Sequence, residues 1–259
     1  MKLNTLLISS LSVLAASAFA GAPAKAPVVV QPPAEEPLGF TVSVGYDTHY
    51  IFRGVLFAEN LVTAAVDGTI PLTEMLSLNI GAWYGTSADD SGRFGIPEAG
   101  GSFHELDLYG AVLADLGPVT VGAKYTAYLY DGASTDNGAV EDINEVGLTA
   151  AASLGFVDVT AGAYYDDFTD GFYFETGVSH SFAITDRISV VPAALISYGV
   201  DYYGVTGFNH VKLGLSVPIK LTSTATLTPY IAYNLPIDAL DDLGEEDEIY
   251  GGVSLSVAF

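Results

Sequence analysis

From Leu38 to the last residue, apolar side chains alternate with small or polar ones along the chain. In the stretch 40–47 every second residue is apolar or aromatic, and the residues between them are Thr, Ser, Gly and Asp. The closing stretch 248–259 shows the same alternation. A period of two places successive side chains on opposite faces of an extended strand. The pattern therefore predicts an all-β chain whose strands each have one apolar and one polar face.

The alternation recurs in about twelve segments, each close to the length of a tilted strand that crosses a bilayer. Pro192 and Pro229 lie inside two of these segments and lack the N–H group that a strand ladder needs, so we expect bulges or shortened pairing there. In one segment, 187–200, both faces are apolar and the register stays open. The segments are 39–52, 60–71, 75–86, 102–115, 118–130, 142–154, 156–167, 171–183, 187–200, 207–219, 223–234 and 248–259.

The connections between the segments alternate in length. A bacterial outer-membrane barrel has an even number of strands, short turns at its periplasmic end and longer loops at its extracellular end. We therefore expect 38–259 to form a closed antiparallel transmembrane β-barrel of about twelve strands. Short connections occur at 71–74, 116–118, 155–156, 185–186 and 220–223, and longer polar ones at 87–102, 131–141 and 235–247.

A soluble secreted β-sandwich is the alternative fold, because its strands alternate as well. Two features favour the barrel. The polar face carries Gly, Ser, Thr and Tyr rather than charged residues, and aromatic residues cluster near the strand ends, where the girdles of a membrane barrel lie. The clustered aromatic residues are Tyr46, Tyr50, Phe52, Tyr84, Tyr128, Tyr130, Tyr164, Tyr165, Phe172, Tyr173, Phe174, Tyr198, Tyr202 and Tyr203.

The first 37 residues have a different composition. Residues 1–20 combine a positive start at Lys2, an apolar centre and the sequence Ala18-Phe19-Ala20, which predicts a secretory signal peptide. Residues 21–37 are rich in Pro and Ala, which indicates a flexible periplasmic tail. No later run reaches the roughly 18 apolar residues of a membrane-spanning helix, so helical spans are not expected.

Charge and cysteine content exclude several function classes. The chain of 259 residues has 8 Lys and Arg against 31 Asp and Glu, a formal net charge of -23. Binding to nucleic acid needs clustered basic residues, so no nucleic-acid partner is expected. The absence of Cys excludes disulfides, thiolate metal sites and cysteine nucleophiles. Export and high hydrophobicity together favour an outer-membrane location in a Gram-negative-type bacterium.

Two sequence stretches resemble known proteins. The C-terminal segment that ends in Phe259 is similar to the assembly signal of outer-membrane barrels, which implies recognition by the barrel-assembly machinery. Residues 50–55 (YIFRGV) resemble the first-strand motif of the TorF family of outer-membrane porins, and 104–110 and 144–148 resemble its later strands. The resemblance covers most of the chain from Leu38 and implies a pore-forming barrel. The long acidic loop near the C-terminus departs from that family.

If the apolar faces meet lipid, the other faces line a lumen. Eight acidic and three basic residues would make that lumen negative and favour cations. Alternatively, these charges pair across the interior and block it; Arg53 with Glu105 or Asp107 is the pair expected in either case. The predicted pore-lining residues are Asp47, Arg53, Asp67, Glu105, Asp107, Lys124, Glu145, Asp158, Glu175, Lys212 and Glu248.

An acidic run near the C-terminus is a weak candidate for a calcium or magnesium site, because carboxylate oxygens are the ligands of these ions. A solvated loop is the simpler interpretation. Its candidate ligands are Asp241, Asp242, Glu245, Glu246 and Asp247. No cofactor is expected.

We do not expect an enzyme. The four histidines show no spacing typical of a catalytic triad, and no hydrolase motif occurs. A barrel hydrolase that uses His180 or His210 is the remaining enzymatic hypothesis.

Two functions are compatible with these features. The first is an outer-membrane channel for passive diffusion of small hydrophilic solutes, with a preference for cations. The second is a non-conducting structural or adhesive protein whose acidic loops bind divalent ions and lipopolysaccharide. In both, the expected partners include outer-membrane lipid and lipopolysaccharide, and the oligomeric state is open.

Overall fold

The computed structural model describes residues 39–89, 91–93, 101–130, 133–135 and 138–259. The predicted signal peptide (1–20) and Pro/Ala-rich tail (21–37) lie outside these residues. Twelve long strands make up most of the described chain. They are β1 (Phe40–Phe52), β2 (Val55–Pro71), β3 (Leu76–Ser87), β4 (His104–Asp115), β5 (Val119–Leu129), β6 (Ile143–Ser153), β7 (Asp158–Asp166), β8 (Gly171–Ser179), β9 (Ser189–Tyr202), β10 (Val205–Ser216), β11 (Ala225–Pro236) and β12 (Glu248–Ala258).

The twelve strands form one closed barrel. Each strand pairs antiparallel with the next strand in sequence, and β12 pairs with β1. At this seam Val42 lies opposite Val257, and the Gly39 amide donates to the Phe259 carbonyl at 3.1 Å. Closure leaves the sheet without an unpaired edge. The predicted closed antiparallel barrel is confirmed, and each predicted segment overlaps one of the strands.

The two faces of the sheet differ as the period of two predicts. Val44, Leu148 and Leu213 point outward and are 52%, 66% and 50% exposed. Their sequence neighbours Ser43 and Thr149 point inward. Exposed apolar side chains follow the strands around the whole barrel, and such a surface is one that lipid covers. The alternative of a soluble sandwich is wrong, because a sandwich buries its apolar faces between two sheets.

The two ends of the barrel are different. Both chain termini of the barrel, with connections 72–75, 116–118, 154–157, 180–188 and 217–224, lie at one end, here called the terminal end. The other end, the loop end, has the long connections 88–103, 130–142 and 237–247. It also has two tight turns of two residues, Arg53-Gly54 and Tyr203-Gly204, which are not among the connections predicted above.

Both prolines within strands shorten the pairing as expected. Pro192 of β9 pairs in register with Leu215 on one side, while pairing with β8 on the other side ends at Ala193, the residue after the proline. Pro229 of β11 lies opposite Val253 of β12, and pairing of β11 with β10 ends at Tyr230. A missing N–H group thus costs hydrogen bonds on one side only.

Short elements complete the described structure. The connection after β11 contains one helical turn, α1 (Ala239–Asp242), and its Leu240 is fully buried. Ser134–Thr135 pairs with Gly138–Ala139 in the connection after β5. Within the described part of the chain, no helix is long and apolar enough to span a membrane.

Candidate functional site

All eleven ionisable residues that the alternation assigns to the inner face lie inside the barrel. Six of them are buried, namely Asp47, Arg53, Glu105, Asp107, Glu145 and Lys212. The other five, Asp67, Lys124, Asp158, Glu175 and Glu248, are partly exposed.

The interior is not uniform along the barrel axis. Toward the loop end it contains a layer of large side chains with almost no exposed surface, such as Tyr164, Tyr173 and Tyr202. Toward the terminal end, Asp158 and Thr160 of β7 are partly exposed although they face inward. Near the loop end the interior is therefore filled with large side chains. Near the terminal end some inward side chains, such as Asp158, are partly exposed, and others, such as Leu113 and Ser216, are buried.

The centre of the filled layer is Arg53, which belongs to the two-residue turn between β1 and β2. Its backbone has φ of 51° and that of Gly54 has φ of 93°, as in the two-residue turns of hairpins. The burial of Phe52, Arg53 and Val55 places the turn inside the barrel. The guanidinium group crosses the lumen, forms an ion pair with Glu145 of β6, and lies 3.7 Å from the Asp166 carboxylate of β7. Arg53 Nη1 also donates to the Tyr202 hydroxyl at 2.5 Å.

Four aromatic rings surround the same guanidinium group. Its Cζ atom lies 5.0 Å from the ring centre of Phe52, 4.8 Å from Tyr164, 4.6 Å from Tyr173 and 5.3 Å from Tyr202. Distances below about 6 Å to the ring centre favour a cation–π interaction, which desolvation strengthens. These rings together with Glu145 and Asp166 are called the guanidinium cage below.

Neighbouring donors hold the two cage carboxylates in place. The Tyr128 hydroxyl donates to Glu145 Oε1 at 3.1 Å. Asp166 Oδ1 accepts hydrogen bonds from the Thr169 amide at 2.7 Å and from its hydroxyl at 2.8 Å. Because none of these donors belongs to Arg53, the position of each carboxylate does not depend on the arginine alone.

A chain of hydrogen bonds holds the backbone of the turn. Asn234 Nδ2 donates to the Gly54 carbonyl at 3.0 Å. The Asn234 oxygen must then accept from His210 Nδ1, 2.6 Å away. His210 Nε2 is left to accept from the Tyr173 hydroxyl at 3.0 Å. The chain thus connects the turn to a tyrosine of the cage.

Gly54 has no room for a side chain. A Cβ atom built there would lie 2.5 Å from Leu240 Cδ1 of α1 and 2.9 Å from His210 Cγ. The helical turn α1 therefore covers the β1–β2 turn from the loop end.

The predicted partner of Arg53 was wrong. Arg53 pairs with Glu145 and Asp166, whereas Glu105 accepts from the Tyr50 hydroxyl at 3.0 Å. The physical reason is the direction of the turn, which carries the arginine to the facing wall, away from β4.

The prediction that the clustered aromatic residues form membrane girdles was wrong for about half of them. Tyr46, Tyr84, Phe172 and Phe174 face outward and are exposed. The buried ones fill the interior near the loop end instead, and they are Tyr50, Phe52, Tyr128, Tyr130, Tyr164, Tyr173 and Tyr202. Irregular pairing between β1 and β2 concerns Tyr50 and Phe52 only. Tyr128, Tyr164 and Tyr173 lie on regularly paired strands, where alternation places them on the inner face.

Two walls of the lumen each carry a tyrosine that donates to an aspartate, on the terminal-end side of the filled layer. The Tyr230 hydroxyl donates to Asp47 at 2.6 Å, and Tyr109 donates to Asp67. A lysine lies near a ring of each group, with Lys124 Nζ 5.2 Å from the Tyr109 ring centre.

On the other side, Lys212 Nζ lies 5.5 Å from the Tyr250 ring centre. Each lysine thus contacts an interior aromatic surface.

The described residues include no group of three or more His, Cys, Asp and Glu side chains placed to hold a metal ion. Asp241, Asp242 and Glu246 are exposed, and Asp247 accepts from the Tyr233 hydroxyl at 2.8 Å. The structure does not bring these carboxylates together, and the ion site in the acidic run stays a prediction. Glu245 is half-buried, and burial raises the pKa of its carboxyl group.

The histidines named for a hydrolase lie apart. His180 contacts the Phe182 ring, with ring centres 4.5 Å apart. His210 is buried between Tyr173 and Asn234. Neither of these contacts brings an acidic residue to the imidazole, which a catalytic triad requires.

Sequence reasoning missed Asp166 and Asn234, and it named His210 only for a hydrolase. The sequence held a signal for His210 and Asn234. Both are polar residues of β10 and β11 that share the inner face with Lys212. Asp166 was missed because it ends its strand at the loop end, where such a residue is usually part of a solvated turn.

Solved structures with a similar fold are bacterial outer-membrane proteins. An outer-membrane channel from Pseudomonas putida F1 has a TM-score of 0.59 and 12% identity over 89% of this chain and 100% of that one. The translocator domain of the autotransporter NalP from Neisseria meningitidis has a TM-score of 0.52 and 14% identity over 85% and 88%. The KdgM porin has a TM-score of 0.50 and 6% identity over 85% and 99%. At these identities the similarity shows the fold.

No curated protein matches the sequence. A family model does match, and it covers residues 31–234, which is most of the chain. The chain therefore belongs to the Gcw_chp family of bacterial proteins of unknown function.

Proposed function

We propose that the protein is an outer-membrane channel for passive diffusion of small hydrophilic solutes, with a preference for cations. The observation that carries the proposal is the opposite chemistry of the two faces of a closed barrel. The outer face is apolar, whereas the inner face carries eight acidic residues of the predicted set against Arg53, Lys124 and Lys212. An excess of carboxylates in a lumen favours cations.

The fold supports the same proposal. The structures that resemble this chain include an outer-membrane channel and a porin. A channel of this type would reside in the outer membrane of a Gram-negative-type bacterium, surrounded by lipid and lipopolysaccharide. Phe259, half-exposed at the end of β12, would be read by the barrel-assembly machinery. Membership of the TorF family of porins is a further part of the proposal.

The filled layer near the loop end implies that conduction requires a change of conformation. In the described state, Arg53 and its partners occupy the lumen at this level. The β1–β2 turn would have to withdraw before a solute could pass. We therefore expect a channel that opens from a closed state, rather than a permanently open pore.

The second candidate is a non-conducting structural or adhesive protein. The burial of Arg53, Glu145 and Asp166 favours it, because such a layer can serve to close a barrel permanently. Its divalent-ion component has no support in the described loops, where no metal cluster is present. We propose no enzymatic activity.

Liposome swelling tests the proposal. Refolded protein is reconstituted into liposomes, which are diluted into isotonic arabinose, lysine hydrochloride or sodium glutamate. We expect swelling with protein above that of empty liposomes, and faster swelling for lysine than for glutamate. Equal rates with and without protein in all three solutes would reject the channel and favour the second candidate.

A further inference from the structure

We infer that the guanidinium cage is a binding site for guanidinium-bearing solutes, and that Arg53 occupies it as a tethered substitute for such a solute. The inference rests on the proposed channel and names the class of cation that would open it. The solute would displace the arginine side chain, and the β1–β2 turn would withdraw from the lumen.

The chemistry of the cage matches a planar cation. The rings of Tyr164, Tyr173 and Tyr202 lie 4.6–5.3 Å from the guanidinium carbon, and Glu145 and Asp166 supply two negative charges. A guanidinium group combines five N–H donors with a flat face, so it can meet carboxylates and rings at once. An ammonium group has no flat face, and a neutral sugar would leave both carboxylates unpaired.

The cage does not depend on Arg53 for its shape. Three of its rings belong to β7, β8 and β9, on the wall that faces the turn. Tyr128 and Thr169 hold the two carboxylates, and His210 holds the Tyr173 hydroxyl. These contacts remain when the arginine leaves, so the site would stay formed for another occupant.

Exchange would require the turn to give up the Asn234 hydrogen bond to the Gly54 carbonyl and its packing against Leu240. Two features of the turn favour such a movement. Arg53 belongs to a turn of two residues with positive φ, and pairing between β1 and β2 is irregular next to it, between Tyr50 and Ile51. Removal of the arginine without replacement leaves two buried carboxylates unpaired, which is costly. Exchange for another guanidinium group avoids this cost. The site therefore favours cations that fill it as Arg53 does.

Cysteine labelling tests the exchange in the otherwise native chain. The protein has no Cys, and Val55, directly after the turn, is buried. In Val55→Cys we measure the rate of reaction with a membrane-impermeant maleimide, with ethylguanidinium chloride or sodium chloride at equal ionic strength. We expect ethylguanidinium to accelerate labelling by about tenfold, with saturation, because its binding shifts the population toward the state in which the turn has withdrawn.

Two variants control this measurement. In Leu243→Cys, which carries an exposed loop-end position, labelling should be fast and unaffected by ethylguanidinium. In Val55→Cys combined with Asp166→Asn, the acceleration should shrink because one cage carboxylate is neutral. No acceleration in Val55→Cys would overturn the inference, and so would an acceleration that Asp166→Asn leaves unchanged.

A binding measurement tests the site independently of conduction. Arg53→Gly empties the cage and suits the positive φ of the position. In calorimetry, folded Arg53→Gly should bind ethylguanidinium about tenfold more tightly than the wild-type protein. Arg93→Gly, which removes an arginine from a half-exposed pair with Glu59 outside the cage, should bind as the wild type does.

Heat-dependent migration in gel electrophoresis shows whether each variant is folded. If folded Arg53→Gly binds no better than Arg93→Gly, the inference is wrong whatever the liposomes show. If it binds tightly but no solute enters the liposomes, the site stands and the channel fails.

Discussion

Arg53 in the β1–β2 turn forms an ion pair inside the barrel with Glu145 of β6, on the facing wall. The pair connects two walls of the lumen at the level where the interior is filled. Both side chains are buried, and Asp166 adds a second carboxylate 3.7 Å from the arginine. In the proposed channel this contact blocks the lumen, and it is the target of the first prediction.

Replacement of Arg53 by Gln should destabilise the barrel strongly. Loss of one partner leaves an uncompensated buried charge, which costs about 3–5 kcal/mol. The double variant Arg53→Gln/Glu145→Gln should lose less than the sum of the two single variants, by about 1–3 kcal/mol. Unfolding by urea in lipid vesicles measures these free energies.

The partly exposed pair of Arg93 and Glu59 provides the control. Its side chains are 31% and 30% exposed, and an ion pair with access to solvent contributes about 0–1 kcal/mol. Arg93→Gln should therefore leave the free energy of unfolding almost unchanged. Equal effects of Arg53→Gln and Arg93→Gln would contradict the assignment of a buried pair.

Gly54→Ala should reduce the free energy of unfolding by more than the cost of its backbone angle alone. The φ angle of 93° costs a residue with a side chain about 1–2 kcal/mol. The added methyl group would also meet Leu240 and His210, so a larger loss of stability is expected. Gly117→Ala is a matched control, since Gly117 has φ of 92° and open space around its Cβ position. If the two variants unfold at the same urea concentration, the turn is not packed against α1.

The outward face of β6 should reject a charge. Leu148 lies at the centre of its strand and is 66% exposed, so lipid would surround it. Leu148→Arg should reduce the free energy of unfolding in vesicles by about 2–4 kcal/mol. Thr160 is on the inner face and partly exposed. Thr160→Arg should therefore reduce the free energy of unfolding much less. A smaller loss for Leu148→Arg than for Thr160→Arg would mean that the faces are reversed.

Glu245 should make the loop-end segment less stable as the pH rises. Burial raises the pKa of its carboxyl group in the folded state, and nearby Glu248 raises it further, while a hydrogen bond from the Leu56 amide opposes both. The folded state therefore holds the proton more tightly than the unfolded state does. Stability falls as the pH rises from the unfolded pKa through the folded one.

Glu245→Gln removes this titration and keeps an oxygen that can accept from Leu56. The stability of the wild type relative to Glu245→Gln should then decrease as the pH rises through the acidic range. Urea unfolding in vesicles at several pH values gives this difference. A difference that is constant with pH would show that the carboxyl group is solvated.

The strand pattern was predictable because it depends on local chemistry. Alternation along 40–47 reports which side of the strand meets lipid, and this holds for every strand of a barrel in the same way. The inward position of Asp47, Glu105 and Lys212 follows from the same rule. The strand pattern and these inward positions could both be predicted without knowledge of contacts between distant residues.

The partners of Arg53 were not predictable by this rule. They depend on how far each strand is shifted against the next around the barrel and on the bend of one two-residue turn. The tyrosines were also ambiguous, since Tyr84 at a strand end faces lipid whereas Tyr164 at another fills the lumen. An aromatic ring is compatible with either environment, so composition alone does not decide.

The central claim is that a cation-selective lumen is closed by Arg53. Current through single proteins in planar bilayers, with a salt gradient across the membrane, tests it most directly. We predict brief openings for the wild type, larger and longer ones for Arg53→Gly, and a reversal potential for both that lies toward the equilibrium potential of the cation. Absence of current in both proteins, or a reversal potential toward that of the anion, would contradict the account.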